Sequence, residues 1–403
     1  MTEAAIINVS GVSDDSDPTL VWEGVVQQAV ATRVSDIHLL AQSEAYDLYF
    51  RRDGEMKSQG NLSHGFCRRL ISHVKASSGM DVGESRRPVE GHIRFKAKEK
   101  TVDLRISTIP SLHGQDMVVR LFDKTVSLLN LDKLGLAREQ LAQIRDVLLR
   151  PYGLFLVTGP SGSGKTTALY AMLRHLAGKT RKIITIEDPV EYDLEGVNQT
   201  QVNPRIGVTF ATMLTAIMRQ DPDIIMVGEI RDPDTAVTAI RAANTGHLVL
   251  ATTHATQPVR AIDTLTGLGV HPYFLVSCLR AVLAQVLVKR ICENCRKPLP
   301  ETAEFFCEPE VLRRLDKGVK PCLYLGEGCK QCYGTGYLGR MALFESFIPS
   351  EQAKQIIIEG RSTTDIEKQK DAKGDLSLEQ AAKLAALTGQ TTMEEIVRVL
   401  PTL

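Results

Sequence analysis

The sequence predicts an α/β protein of two domains, a small α+β unit followed by a larger one organised on a parallel sheet. Three observations carry this expectation. Early in the chain the apolar residues change from helical spacing to strict alternation and back, as helices and half-buried strands do. From residue 153 onward, short unbroken apolar runs alternate with longer helical stretches, the pattern of strands buried on both faces. Between the first of those runs and the helix that follows stands a glycine-rich loop, beginning at Gly159 and ending at Thr166.

Bulk properties set the frame. At 403 residues the chain exceeds what one ordinary core accommodates. Lys plus Arg and Asp plus Glu both number 48, so the molecule as a whole has no field favouring nucleic acid or an anionic membrane, and a basic site must be local. Residues 1–18 are acidic and polar, with no basic segment ahead of an apolar one, unlike a signal peptide. No apolar run approaches the roughly 18 residues of a membrane-spanning helix. These features predict a cytoplasmic protein that meets a membrane only through partners and makes no direct contact with nucleic acid.

Taken in order, residues 1–20 read as a flexible leader. Over 20–32, Trp22, Val25, Val26, Ala29 and Val30 share one helical face. Residues 46–51 with Asp53 and Gly54 predict a hairpin closed by an Asp-Gly turn. A second helix is expected over 66–77 and two further strands over 92–97 and 101–108, the latter alternating Val102, Leu104 and Ile106 with mostly polar neighbours. These make up a first domain, 21–125, and a linker, 126–140, leads through an amphipathic helix that ends before Pro151 into a second domain, 141–403. Its strand candidates are 154–157, 183–186, 224–227 and 248–250, each followed closely by polar or glycine residues. In a parallel sheet those residues collect along one carboxyl edge, where open α/β sheets bind ligands. The tail after Ser350 reads as helical and polar, interrupted near Gly374.

Gly159-Pro160-Ser161-Gly162-Ser163-Gly164-Lys165-Thr166, followed by Thr167, fits the phosphate-binding pattern G-x-x-x-x-G-K-[ST] in its required place between strand and helix. Glycines let backbone N–H groups converge on phosphate oxygens, the helix N-terminus adds its positive dipole end, Lys165 neutralises β/γ charge, and the Thr166 hydroxyl is a ligand for Mg²⁺. The 224–227 run delivers Glu229 to the same edge, as a Walker B segment does, where it can hold Mg²⁺ through water. The 183–186 run delivers Glu187, Asp188 and Glu191; Glu187, which follows the strand immediately, is the expected orienter or base for the attacking water. His247 and His254 bracket the next strand, and both are candidates for contacting the γ-phosphate. Of eight cysteines, four form two C-x-x-C pairs, Cys292/Cys295 and Cys329/Cys332. In a reducing compartment that spacing suggests a closed, tetrahedral, structural Zn²⁺ site holding together an irregular insertion, 290–340.

With these segments in order, the chain resembles the secretion ATPase superfamily, the type II secretion ATPases and type IV pilus assembly and retraction motors. The resemblance is carried by Ser35-Asp36-Ile37-His38, by Arg105-Ile106-Ser107-Thr108-Ile109-Pro110, by the phosphate loop, by an acidic box ending at Glu191, by Arg219 to Asp232 around the Walker B strand, and by a histidine box from Gly246 to His254. It implies a PAS-like first domain, a RecA-like ATPase domain with the zinc insertion and a helical tail, 346–403, and a homohexameric ring working on an inner-membrane platform protein. It implies that Arg105 and Arg120 approach the phosphates from the first domain and that Arg219 and Arg231 lie near the nucleotide in the second. The cysteine pairs typify assembly and secretion motors rather than retraction motors. The family pattern is broken where Thr215 and Val286 stand for common arginines and where Glu90 and His92 replace an Asp-x-Arg element. The further N-terminal domain of many such motors is not expected ahead of residue 21. The expectation is an ATP-hydrolysing, Mg²⁺-dependent motor peripherally attached to the inner membrane. The alternatives are a retraction or DNA-uptake motor on the same plan and an ATP-binding assembly switch without turnover.

Overall fold

The computed structural model describes residues 11–97, 100–122, 130–178, 180–299, 308–315, 320–371 and 376–400. The chain divides into two compact units, Met1–Ser127 and Leu128–Leu403. The expected break near Gly374 lies outside the described residues, as do parts of the leader, the linker and the insertion.

In the first unit, helix α1 (Pro18–Ala31) begins where the Asp17 carboxylate accepts the Thr19 N–H at 2.8 Å and Pro18 presets the first helical φ. Helix α2 (His64–Ser77) is capped by Ser63, whose Oγ accepts the Phe66 N–H at 3.1 Å. Each such cap is worth about 1 kcal/mol. Strands β1 (Asp36–Ala41), β2 (Tyr46–Arg52), β3 (Glu55–Leu62), β4 (Val89–Ala97), β5 (Lys100–Ser111) and β6 (Gly114–Phe122) form an antiparallel sheet in the order β3-β2-β1-β6-β5-β4. Asp53 and Gly54 join β2 to β3 with φ of +48° and +90°, the pair of left-handed residues a two-residue hairpin turn favours. The inward residues of the sheet, among them Ile37, Phe50, Leu104, Ile106 and Val119, share one core with Trp22, Val26, Phe66 and Leu70 of the helices. The other face of the sheet is polar, and in it Arg51, Asp36, Arg120, Arg105 and His92 stand in register across five strands.

The second unit opens with α3 (Arg138–Leu148) and is built on a seven-stranded sheet. Its strands are β7 (Gly153–Thr158), β8 (Ile183–Glu187), β9 (Asn198–Gln201), β10 (Ile224–Val227), β11 (Leu248–Thr253), β12 (Leu279–Ile291) and β15 (Tyr337–Phe347), ordered β15-β12-β7-β11-β10-β8-β9. All neighbours run parallel except β12 and β15. Helices α5 (Phe210–Ile217), α6 (Pro233–Asn244), α7 (Arg260–Gly267) and α8 (Pro272–Cys278) supply the core on one face; α3 and α4 (Lys165–Leu176) supply that on the other. A ribbon of β13 (Arg296–Leu299) and β14 (Leu323–Gly326), with the short helix α9 (Pro309–Leu312), lies between β12 and β15 in the chain.

The tail is helical, α10 (Glu351–Ile358), α11 (Thr363–Asp371), α12 (Leu378–Leu387) and α13 (Met393–Val399), but it is not the polar appendage its sequence suggests. Leu378, Ala382, Ala385, Ala386 and Leu387 of α12 are buried with Val286, Val288, Leu323 and Leu343. Small alanines let that helix pack closely, and their weak hydrophobicity hid the buried face from a reading of apolar spacing. Among the described residues no helix is long and apolar enough to cross a membrane.

Candidate nucleotide site and thiol cluster

Every residue of β7 is buried, so the strand leaves the sheet only at its carboxyl end, where the phosphate-loop residues make the turn into α4. Gly159, Gly162 and Gly164 adopt φ of +147°, +76° and +89°, a region glycine enters without steric penalty. Gly159 is also required by space: a Cβ there would lie 2.2 Å from the Gln285 backbone carbonyl oxygen, whereas one on Gly164 would lie 2.7 Å from the end of the Gln285 side chain, Nε2. Helix α4 begins at Lys165, so its unpaired first-turn N–H groups and the positive end of its dipole face the loop. Lys165 is 9% exposed and its Nζ donates to the carbonyls of Gly159 (2.7 Å) and Pro160 (3.0 Å). Burial pushes its ammonium below the usual lysine range, against the pull of the Glu229 carboxylate and with the help of Arg231. Thr166 follows, exposed, and Thr167, half-buried.

Hydroxyls tie the neighbouring strand ends together. Thr253 Oγ1 donates to Thr158 Oγ1 (3.0 Å), Thr158 Oγ1 to the Ala255 carbonyl (2.6 Å), and Thr252 Oγ1 to the Gly228 carbonyl (2.5 Å). The Ile230 N–H returns to the Thr252 carbonyl at 3.0 Å. This lacing brings Glu229, Arg231 and His254 to one point: Arg231 Nε is 2.7 Å and His254 Nε2 is 3.4 Å from Glu229 Oε2.

The remaining candidates are distributed differently. Glu187 ends β8, but alternation along that strand turns its side chain toward α4, where it is 3% exposed. Its carboxylate accepts from the Tyr170 hydroxyl, from Thr185 Oγ1 (2.5 Å) and from Gln199 Nε2 (3.1 Å). The Tyr170 oxygen in turn accepts the Glu191 N–H at 3.2 Å, so the buried acid holds the loop that follows it. Burial, and the hydrogen bond to Glu187, push the Tyr170 hydroxyl far above its usual range. Tyr170 and Gln199 escaped the sequence reading because nothing in a helix interior or an edge strand marks them as partners of a distant acid.

His247 lies apart from this group. It precedes β11, at the end of the strand opposite the phosphate loop, and its Nδ1 lies 3.0 Å from the Ala242 carbonyl. A strand between two histidines carries them to opposite edges, about 3.3 Å per residue apart. Arg219 likewise follows α5 and precedes β10, an exposed residue at the amino edge of the sheet and outside the group about the phosphate loop. In the first unit Arg105 and Arg120 are direct cross-strand partners on the polar face. Arg120 Nε is 2.9 Å from Asp36 Oδ1, and Arg105 lies over the Phe122 ring at 4.4 Å. Val286 faces the apolar cluster under α12, so an arginine there would point away from the phosphate loop; its neighbour Gln285 faces it.

The four paired cysteines converge. Their sulfurs lie within 4.8 Å of one another, and the pairs Cys292/Cys329, Cys295/Cys332 and Cys329/Cys332 are each 3.8 Å apart. Four sulfurs bonded tetrahedrally to one Zn²⁺ at about 2.3 Å stand about 3.8 Å apart, so the arrangement fits such an ion. The Asn294 amide (3.3 Å) and backbone N–H groups hold the Cys329 thiol below its usual range. Gly336 and Cys329 direct their own N–H groups at Cys332 Sγ, at 3.3 and 3.1 Å. Beside the cluster, Lys289 and Glu395 form an ion pair of 3.3 Å with side chains 7% and 1% exposed, fastening α13 to β12. Arg398 adds two hydrogen bonds to the same carboxylate.

A family model described as "Type II/IV secretion system protein" matches residues 13–398. The type IV pilus assembly ATPase PilB of Thermus thermophilus is 40% identical over 390 residues, 95% of this chain but 43% of that protein. The type II secretion system protein HxcR of Pseudomonas aeruginosa is 40% identical over 388 residues, 96% of this chain and 78% of that one. The chain therefore spans less than half of the first relative and about three quarters of the second. Among solved structures, the ATPase DotB of Legionella pneumophila superposes with a TM-score of 0.71 at 19% identity, covering 96% of this chain and 98% of that one. The pilus retraction motor PilT with bound ADP superposes with a TM-score of 0.63 at 23% identity, covering 94% and 96%. Those two likenesses establish the fold alone. The family match and the relatives' identity, which span both units, establish more: this chain is a member of the type II/IV secretion system protein family.

Proposed function

We propose that this chain is the ATP-hydrolysing subunit of a homohexameric motor that powers type IV pilus assembly or type II secretion through an inner-membrane platform protein. The observation that carries the reading is the gathering of Glu229, Arg231 and His254 about one point at the edge of the sheet that bears the phosphate loop. In this reading residues 159–167 bind the ATP phosphates, with Lys165 neutralising β/γ charge. Thr166 and Glu229 hold Mg²⁺, the latter through water, and His254 reaches the γ-phosphate. Glu187 acts on the attacking water indirectly, by fixing the acidic loop through Tyr170. Mg²⁺ itself supplies charge neutralisation across the phosphates.

Arg105 and Arg120, on a PAS-like first domain spanning 21–125, supply positive charge to a nucleotide site of the ring, and Arg231 and Arg219 do so from the ATPase domain, 141–403. Arginines supplied to such sites accelerate phosphoryl transfer by roughly 10³ to 10⁵. Arg219, at the edge remote from its own phosphate loop, serves an adjacent subunit. Cys292, Cys295, Cys329 and Cys332 hold a structural Zn²⁺, which does no chemistry and fixes the ribbon of 290–340. The protein works in the cytoplasm at the inner membrane, reaching it through partners, without nucleic acid. The relatives named for pilus assembly and type II secretion, and the four-thiol cluster, favour assembly or secretion over retraction.

Purified protein should release phosphate from Mg²⁺·ATP and migrate as a ring, and Lys165→Ala should abolish release. In the host, loss of an assembly motor removes pili or stops secretion. Pili that persist but no longer retract would overturn the assembly reading in favour of a retraction motor.

A further inference from the structure

We infer that Gln285 is a positioning residue for the phosphate loop, its carboxamide seating Gly164 where the loop turns into α4 and so setting the affinity for the nucleotide's phosphates. The inference rests on the nucleotide-binding reading above and adds to it a residue that lies outside the loop, 119 positions beyond Thr166. It starts from an anomaly. Gln285 is 2% exposed in a strand whose neighbours Val282, Leu283, Ala284 and Val286 are all apolar, and its Oε1 is buried without a hydrogen-bond partner. A buried carboxamide with an unsatisfied acceptor is costly, and leucine or methionine would fill the same space without that cost. Stability therefore does not explain the residue.

Geometry does. The backbone carbonyl oxygen at position 285 occupies the place a side chain on Gly159 would take, as it would for any residue there, and the side-chain Nε2 of Gln285 lies 2.7 Å from the corresponding place at Gly164. Those glycines are the first and the last of the loop, whereas Gly162, at its tip, has nothing within 4 Å of its own Cβ position. One residue thus abuts both ends of the phosphate cradle and leaves its middle open. A second buried polar atom without a partner, Ser163 Oγ, lies 2.8 Å from the same Gly159 position that the Gln285 carbonyl crowds. The support is firm, because β12 pairs with β7 on one side and β15 on the other, and Ala284 stands directly opposite Thr158, the last residue before the loop. The backbone of β12 bounds the first glycine of the loop whatever side chain stands at 285; the carboxamide bounds the last, where the loop turns into α4, and an apolar side chain of equal volume fills that space without its polar end.

The test compares two variants of the full chain by calorimetric binding of a non-hydrolysable ATP analogue with Mg²⁺, each with its thermal midpoint. Gln285→Leu keeps the volume and removes the carboxamide; Gln285→Asn keeps the carboxamide and withdraws it by one methylene from Gly164. Both should bind about tenfold more weakly than the unaltered chain, while Gln285→Leu melts at or above the original midpoint. Three results overturn the inference: Gln285→Leu binding as the unaltered chain does, Gln285→Leu melting lower in step with weaker binding, or no nucleotide binding by the unaltered chain. Only the last also sinks the nucleotide-binding reading, which stands by itself if Lys165→Ala alone loses the analogue.

Discussion

The phosphate loop and the four-thiol cluster each gather ligand groups about a point, by opposite means. The loop works with backbone: glycines at positive φ, a helix N-terminus, and one buried lysine, all opening at the edge of a sheet. The cluster works with side chains, two pairs brought from either side of a ribbon until their sulfurs stand 3.8 Å apart, with backbone N–H groups turned onto them. An open site can admit and release a ligand; a closed one, with every ligand position supplied by protein, can only be filled. The difference separates an open site from a closed one, and each can be perturbed while the other is watched.

The largest effect should come from Lys165→Ala. Nucleotide binding and phosphate release should fall below detection, while bound zinc, measured by elemental analysis, stays at one ion per chain. A loss of zinc with the lysine would mean that the two regions are not independent. Replacing Cys329 and Cys332 together by serine should do the converse. The thermal midpoint should drop by an amount corresponding to several kcal/mol, since metal-binding energy at a structural site is folding energy, while affinity for ATP at low temperature changes by less than about threefold. A large loss of affinity there would show that strand β12, which carries Gln285 and ends at Ile291 beside Cys292, transmits strain between the sites.

A smaller effect sharpens the closed region. Glu395→Ala leaves Lys289 buried with its ion-pair partner removed and should cost about 3 to 5 kcal/mol by chemical denaturation. Lys289→Met combined with Glu395→Leu should recover most of that. Failure of the double variant to recover would mean that the carboxylate's bonds to Arg398 and to the Lys289 N–H, rather than the buried charge pair, hold α13 in place.

How far the sequence led differs between these regions for physical reasons. The loop was legible because its constraints fall on consecutive residues, and β7, β8, β10 and β11 among the parallel strands because burial on both faces leaves unbroken apolar runs. The cysteines were legible because metal ligands need a fixed spacing. Strands β1 and β6 were missed because their polar face, with Asp36 and Arg120 paired across it, interrupts the apolar pattern. Glu187 was singled out for its place after a strand, yet the direction of its side chain follows from alternation along that strand and from partners, Tyr170 and Gln199, that only the fold brings near. His247 shows the same limit: proximity to a strand says nothing of which end of it faces the ligand. Gln285 carried a signal, a polar residue in an apolar strand, whose meaning required knowing that β12 lies beside β7.

The central claim is that the open edge turns ATP over rather than merely holding it. The direct test measures ATP affinity and steady-state phosphate release together, for the unaltered chain and for Glu229→Gln, which removes the charge on which Arg231 and His254 converge. The account predicts Mg²⁺-dependent release by the unaltered chain, and in Glu229→Gln an affinity within about tenfold but release slower by about 10² or more. Tight binding without release by the unaltered chain, or undiminished release by Glu229→Gln, would contradict it.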